Sequence, residues 1–246
     1  MRDCLIIIPT YNEKENIAKI IPYILNLSDR FEILVIEDGS PDGTAQVVRD
    51  LTGNFPEKIH LIERSGKLGL GTAYITGFQW ALQKEYAYIF EIDADFSHPP
   101  EKLLELLDAC ENKGADLAVG SRYVKDGGVV NWPFNRLFLS LFASKYVRLI
   151  TGMRVKDTTA GFVCYKRQTL QQIDFDKIKF VGYAFQIEMK FAVWLAGLKI
   201  IEVPIIFKDR EIGVSKMHGG VIKEAFVGVL QMKWASLQNK RRYLPH

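Results

Sequence analysis

The chain has 246 residues, 48% of them hydrophobic and 25% charged, which supports a sizeable buried core and argues against disorder. A net charge of +3 is too weak to imply nucleic acid as a partner. Three widely spaced cysteines, Cys4, Cys110 and Cys164, with no Cys-x-x-Cys, argue against a disulfide framework or a zinc site and fit a reducing cytosol.

In chain order, Leu5–Ile8 reads as a short buried strand. It is far too short for a secretory core, and Pro9 follows it. A helix is expected over 14–27, then a strand at Ile33–Ile36, a helix over 43–52 and a strand at Ile59–Ile62. A helix over 72–84, a strand at Tyr88–Ile92, a helix over 100–113 and a strand at Leu117–Gly120 complete this half. Regular alternation predicts an α/β fold whose mainly parallel central sheet is flanked by helices and carries ligands at its strand ends. Beyond Gly120 come a loop with Gly127, Gly128, Val129 and Val130, an aromatic and basic helix over 134–151, and a strand over 162–166. A helix over 183–196, a strand over 198–207, a charged loop over 208–219 and a helix over about 220–238 follow, with Lys240, Arg241 and Arg242 at the end. No linker or repeat interrupts the chain. The simplest organisation is one domain over 1–246: a regular α/β first half (1–120), a specialised second half (121–219), and a C-terminal amphipathic helix with a basic tail (220–246).

A dinucleotide fold would place Gly-x-Gly-x-x-Gly after the first strand, where this chain has Pro9-Thr10-Tyr11-Asn12-Glu13. Gly66, Gly69 and Gly71 come later with the wrong spacing, and fit a turn before a helix or a ligand loop equally well. The strand at 88–92 ends in Asp93-Ala94-Asp95. Two carboxylates at i and i+2 point the same way on an extended chain and are costly to bury unpaired. A hard divalent cation holding diphosphate oxygens is their natural partner, although a lone Asp-x-Asp also occurs as a solvated turn. The second strand likewise runs into Glu37-Asp38-Gly39-Ser40-Pro41-Asp42-Gly43. Turn and cap chemistry accounts for Ser40 to Gly43, whereas Asp38 stands at the strand exit, where it could accept hydrogen bonds from a nucleobase or ribose.

Ile7-Ile8-Pro9-Thr10-Tyr11-Asn12-Glu13, Asp38-Gly39-Ser40-Pro41-Asp42-Gly43-Thr44 and Asp93-Ala94-Asp95 with His98-Pro99-Pro100 resemble the family 2 inverting glycosyltransferases. Four further pieces narrow the resemblance: Gly120-Ser121-Arg122-Tyr123, Asn131-Trp132-Pro133, Asp157-Thr158-Thr159-Ala160-Gly161-Phe162, and Asp209-Arg210 with Gly213, Ser215 and Lys216. With these the chain is similar, over about 5 to 237, to the dolichol-phosphate (polyprenol-phosphate) mannose synthases. The resemblance implies an A-type nucleotide-sugar fold, a GDP-mannose donor, a polyprenyl or dolichyl phosphate acceptor, inversion to a β-mannosyl phospholipid, and magnesium or manganese as cofactor. It implies that Pro9, Tyr11, Glu13, Ile36 and Asp38 hold the nucleotide, that Asp93, Ala94 and Asp95 reach the diphosphate and metal, and that Arg210 and Lys216 lie near the donor phosphates. Many members carry Gln where this chain has Ser97, so the metal's third ligand here is the Ser97 hydroxyl or water. Many members also carry C-terminal membrane helices, so this chain is expected to meet the bilayer peripherally or through an anchoring partner, on its cytoplasmic face.

A lipid phosphate monoester, with a second pKa of about 6, is largely dianionic at neutral pH and needs no general base. It needs cations, and arginine forks suit phosphate. Arg122 and Arg136 are assigned to the acceptor phosphate, Arg210 and Lys216 to the donor. Asp157 either orders the acceptor loop or pairs with an arginine, and with a hydroxyl acceptor it would be the candidate base; it is counted with Asp95, Arg122 and Arg136 among the catalytic candidates. On the helix over 134–151, Phe134, Leu137, Phe138, Leu141, Phe142 and Tyr146 form a stripe that by periodicity alone fits a core better than a lipid interface; Trp132, the aromatic density and the nearby arginines shift the reading toward lipid. Val221, Ile222, Ala225, Phe226, Val229, Leu230 and Trp234 pose the same choice, and the basic tail is expected to be solvated. The alternatives are another donor such as UDP-glucose, a saccharide acceptor, or a non-catalytic nucleotide-sugar-binding subunit.

Overall fold

The computed structural model describes residues 3–182, 184–209, 219–239 and 241–245, with backbone alone over 219–225. The first half runs β1 (Cys4–Thr10), α1 (Lys14–Leu27), β2 (Phe31–Glu37), α2 (Thr44–Asn54), β3 (Ile59–Glu63), α3 (Leu70–Leu82), β4 (Tyr88–Glu91), α4 (Leu103–Glu111) and β5 (Leu117–Ser121). The second half runs β6 (Gly128–Val130), α5 (Phe134–Thr151), β7 (Val163–Lys166), α6 (Arg167–Gln171), α7 (Ala184–Leu195), β8 (Ile200–Pro204), β9 (Ile206–Lys208) and α8 (Gly219–Gln238).

Seven strands form a sheet in the order β3-β2-β1-β4-β7-β5-β8. All its pairings are parallel except those of β7, which runs antiparallel to both β4 and β5. The unbroken apolar runs of β1 and β2 follow from burial on both faces. Leu5, Ile7, Leu34 and Ile36 pack toward Tyr74 and Phe78 of α3 and Phe185 of α7. Cys4, Ile6, Ile8, Ile33 and Val35 pack on the opposite face with α1 and α4. The three cysteines are buried free thiols.

The expected strand over 198–207 is broken. At Ile205 the backbone N–H still reaches the Ser121 carbonyl (3.0 Å), but β9 then leaves the main sheet to pair with β6 in a separate two-stranded ribbon. The tail differs more from expectation. Arg241 is exposed, but Tyr243 folds back and is buried against Phe191. Its hydroxyl donates to Glu188 Oε1 (2.9 Å), while Glu188 Oε2 accepts the Lys179 and Phe180 N–H groups. Burial pushes the Glu188 carboxyl up, against these hydrogen bonds. Tyr243→Phe keeps the ring and removes the donor. The expected cost is about 1–3 kcal/mol in a urea melt, the range for a buried bond to a carboxylate.

No described helix is long and apolar enough to cross a membrane. The stripe on α5 is not core: Phe134 (81% exposed), Phe138 (61%) and Phe142 stack in a row along its outer face, and Leu149 is also exposed. The helix buries chiefly Ser144, Val147 and Thr151. On α8, Val227, Leu230, Trp234 and Leu237 are exposed, while Val229 and Met232 face inward. The two helices meet where Tyr146 packs on Phe226 (4.4 Å) and donates to its carbonyl.

Candidate active site

The loops that follow β1 and β2 are laced together. Glu37 accepts from the N–H groups of Gly39 and Ser40, and the Ser40 hydroxyl accepts from Asn12 N. Asp42 accepts from Lys14 and Thr44 N, and Thr44 Oγ1 accepts from Glu13 N. The turn-forming residues thus act as ties that fix the strand exits. Pro9 and Ile36 sit in register on β1 and β2, with Ile36 fully buried. Glu13 accepts from Asn16.

Asp38 is buried at the exit of β2 and is gripped by a residue the sequence reading did not single out. Arg64 donates Nε and Nη2 to its two oxygens (2.6 and 2.8 Å), and Nη1 to Thr72 Oγ1 (2.8 Å). Lys67 lies over the Tyr11 ring (5.3 Å). The Arg64–Lys67 segment therefore joins Tyr11 and Asp38 at the exits of β1 and β2. The nearby glycines answer the turn-or-ligand question partly in favour of packing. Gly69 has φ +101°, and a Cβ on Gly71 would lie 2.8 Å from the Phe180 carbonyl and the Phe185 ring.

Beyond β4, Asp93 is partly exposed (41% of its side chain), whereas Ala94, Asp95, Ser97 and His98 are buried. Asp95 Oδ1 accepts the Ser97 N–H (3.1 Å) across Phe96, which is held at φ 58°. A left-handed aromatic residue is strained by about 1–3 kcal/mol and persists where the surroundings enforce it. Here the strain closes a tight turn around the carboxylate. The Asp93 N–H donates to His98 Nδ1 (3.3 Å), so the imidazole proton sits on Nε2. Burial between Phe162 and Phe207 pushes the His98 pKa down to about 4, leaving the ring neutral at pH 7.

At the end of β5, Arg122 makes a two-pronged pair with Asp157 (Nε–Oδ2 and Nη2–Oδ1, both 2.7 Å) and adds Thr159 Oγ1 (2.9 Å). Asp157 also takes the Arg122 N–H and is fully buried. Burial raises its pKa, but the Arg122 charge and hydrogen bonds outweigh this and hold the carboxyl below its ordinary value. Arg136, from the first turn of α5, lies over Trp132 (4.1 Å) and donates to Asp209 (2.8 Å). Trp132 is thus flanked by both arginines, with Arg122 at 5.3 Å. Arg210 and Lys216 lie outside the described residues.

One cavity brings Asp93, Ser97, His98, Arg122, Trp132 and Arg136 together. Its far end is apolar, built from Leu139, Ala143, Tyr146 and Val147 of α5 and Phe226 of α8. Asp38, Tyr11 and Glu13 stand to one side on the β1 and β2 loops, and Asp157 lies behind Arg122. Ser97 Oγ, Trp132 Nε1 and Arg136 Nε are buried with no hydrogen-bond partner, and all three residues line this cavity. Among the described residues no three of His, Cys, Asp and Glu cluster as a closed metal site. The all-oxygen set of Asp93, Asp95 and the unpartnered Ser97 hydroxyl nevertheless suits a magnesium-like ion, which takes one or two carboxylates and completes its shell from substrate phosphates and water.

A family model described as glycosyl transferase family 2 matches residues 5–174. A polyprenol monophosphomannose synthase from Mycolicibacterium smegmatis is 46% identical over 227 residues, covering 92% of this chain and 85% of that protein. An undecaprenyl-phosphate mannosyltransferase from Micrococcus luteus is 42% identical over 238 residues, covering 95% and 97%. Among solved structures, glucosyl-3-phosphoglycerate synthase from Mycobacterium tuberculosis in complex with phosphoglyceric acid superposes with a TM-score of 0.70 at 17% identity, over 95% of this chain and 80% of that one. The same enzyme in complex with Mn2+, UDP and glucosyl-3-phosphoglycerate gives 0.68 at 18%, over 94% and 80%. These structures share the fold. The chain belongs to glycosyl transferase family 2, and its sequence groups it with the polyprenyl-phosphate mannosyltransferases of that family.

Proposed function

We propose that this protein transfers mannose from GDP-mannose to a polyprenyl or dolichyl phosphate with inversion, on the cytoplasmic face of a membrane. The observation that carries the reading is the cavity itself. It is lined by the Asp93 carboxylate, by the two arginines Arg122 and Arg136, and by an apolar stretch contributed by α5 and α8. Unpartnered donors on Trp132 and Arg136 each forfeit about 1–3 kcal/mol unless an acceptor arrives, and a phosphate supplies such acceptors. The apolar channel suits the isoprenoid chain behind that phosphate. The names of the sequence relatives point to the same donor sugar and acceptor class.

Arg122 and Arg136 orient the acceptor phosphate and offset its repulsion from the donor. Asp157 keeps the Arg122 fork in place and takes no proton, since a dianionic phosphate attacks the anomeric carbon without a base. Tyr11, Glu13, Asp38 and the strand ends at Pro9 and Ile36 hold the nucleotide, with Arg64 bracing Asp38. Arg210 and Lys216 are assigned to the donor phosphates. Magnesium or manganese, held by Asp93, Asp95 and the Ser97 hydroxyl, would neutralise the leaving diphosphate.

Incubation with labelled GDP-mannose, manganese and a short polyprenyl phosphate is expected to give an acid-labile lipid product. Folded protein that makes none across several polyprenyl phosphates would refute the reading. In a nucleotide panel with manganese, GDP at a hundred times its Kd should raise Tm by roughly 5–10 °C, from about 2.7 kcal/mol of linkage. UDP should raise it less; the reverse order would reassign the donor.

The exposed stripes of α5 and α8 flank the channel mouth, and we assign them to the bilayer surface. Phe134→Ser with Phe138→Ser should abolish flotation with anionic vesicles while leaving GDP affinity unchanged. Undiminished flotation would place the membrane contact elsewhere.

A further inference from the structure

Lys190, on α7, is fully buried beneath the acceptor end of the cavity. Its ammonium donates to the carbonyl of Ala160 (2.5 Å), the carbonyl of Gln186 (3.1 Å) and Gln186 Oε1 (3.3 Å). The Gln186 amide in turn donates to buried Glu91 on β4. A cation taken wholly out of water is expensive, and without partners it would neutralise. Burial lowers the Lys190 pKa to about 8, and Glu91 opposes that loss. The function proposed above makes no use of this network.

The consequence lies one peptide unit away. Ala160 and Gly161 line the cavity, in the loop whose Asp157 and Thr159 hold Arg122. The peptide between them is trans and planar, so its carbonyl and its N–H point in opposite directions. Lys190 draws the carbonyl into the core. The Gly161 N–H then faces the other way and makes no hydrogen bond among the described residues. The adjacent ammonium also polarises that peptide and strengthens its N–H as a donor.

We propose that Lys190 is a positioning residue for the acceptor: by holding the Ala160 carbonyl it turns the Gly161 N–H into the cavity, where that N–H binds the acceptor phosphate beside Arg122. The inference rests on the acceptor reading above. The phosphate then meets a backbone donor fixed by the fold as well as the forks of two arginines.

The test is a titration of the 15N-labelled full chain with citronellyl phosphate, a short isoprenyl monophosphate, in the presence of GDP and magnesium. The Gly161 amide resonance is expected to move downfield and saturate with the ligand. In Lys190→Met the Kd for citronellyl phosphate should rise roughly tenfold, the size of one lost charge-assisted hydrogen bond, while the Kd for GDP stays within about twofold. Lys190→Gln, which keeps an N–H donor for the Ala160 carbonyl, should recover part of the loss and covers the case in which the Met variant fails to fold. Binding to the wild type that leaves Gly161 unmoved, or a parallel loss of GDP and acceptor affinity in both variants, overturns the inference alone. If the wild type binds no isoprenyl phosphate, the acceptor assignment falls and the inference falls with it.

Discussion

Asp95→Asn should lower kcat by about 10²–10³-fold, the loss typical of removing one electrostatic contact to a developing charge. The fold should survive, because the amide oxygen of Asn can still accept the Ser97 N–H that closes the turn at Phe96. What disappears is a negative charge on a buried residue at the exit of β4, where the leaving diphosphate and its cation are assigned. Two measurements separate this from a general defect. Circular dichroism melts should shift little, and manganese binding in the presence of GDP, followed by electron paramagnetic resonance, should weaken at least tenfold. Unchanged turnover in the variant would remove the carboxylate from the mechanism. An inactive wild type that still binds GDP would favour a non-catalytic nucleotide-sugar-binding subunit.

Asp157→Ala is expected to have the largest effect on stability. Breaking a buried ion pair from one side costs about 3–5 kcal/mol, because the remaining charge stays buried without its partner. In this variant the stranded charge is Arg122, whose side chain is 9% exposed, and its backbone N–H also loses its acceptor. For a chain of this size the expected fall in Tm is roughly 6–20 °C by calorimetry. Asp157→Asn separates bracing from base catalysis. A brace predicts a raised acceptor KM with an unchanged pH profile, whereas a base predicts a fallen kcat and loss of the acid limb of that profile. The pH dependence has a definite sign. The folded-state pKa of Asp157 lies below its unfolded value. The pair's contribution is therefore complete above about pH 4 and is lost as pH falls further. The stability gap between wild type and Asp157→Asn should close in the same direction.

The parts of this site that could be read from sequence are those written in local pattern. The apolar runs of β1 and β2 announce strands covered on both faces, and acids placed just past an apolar run announce a ligand end. Arg64 could not be found that way, because its partner Asp38 lies 26 residues earlier and an arginine after a strand looks like any solvated charge. Lys190 was hidden for a related reason. One lysine in a mostly apolar helix reads as its wet face, yet both its neighbours and Lys190 itself are buried. The direction of β7 is invisible in a four-residue run, since an apolar strand carries no record of which way it will pair. On α5 the periodicity was clear but its meaning was not. Only the exposure of Phe134, Phe138 and Leu149 distinguishes an outward face from a core.

The reversed strand also sets a length. With β7 lying between β4 and β5, the strand that ends in the carboxylates and the strand that ends at Arg122 stand two lattice steps apart, about 10 Å. Were β4 and β5 neighbours, the gap would be about 5 Å, too short for the sugar ring that the proposed function places between donor and acceptor phosphates. Because β7 runs the other way, the loop that begins it arrives at the ligand end and places Asp157 to Gly161 in the space so opened. The sheet thus works as a caliper, its jaws held one strand apart, and under the function proposed above the object it would span is a single sugar in transit between two phosphates.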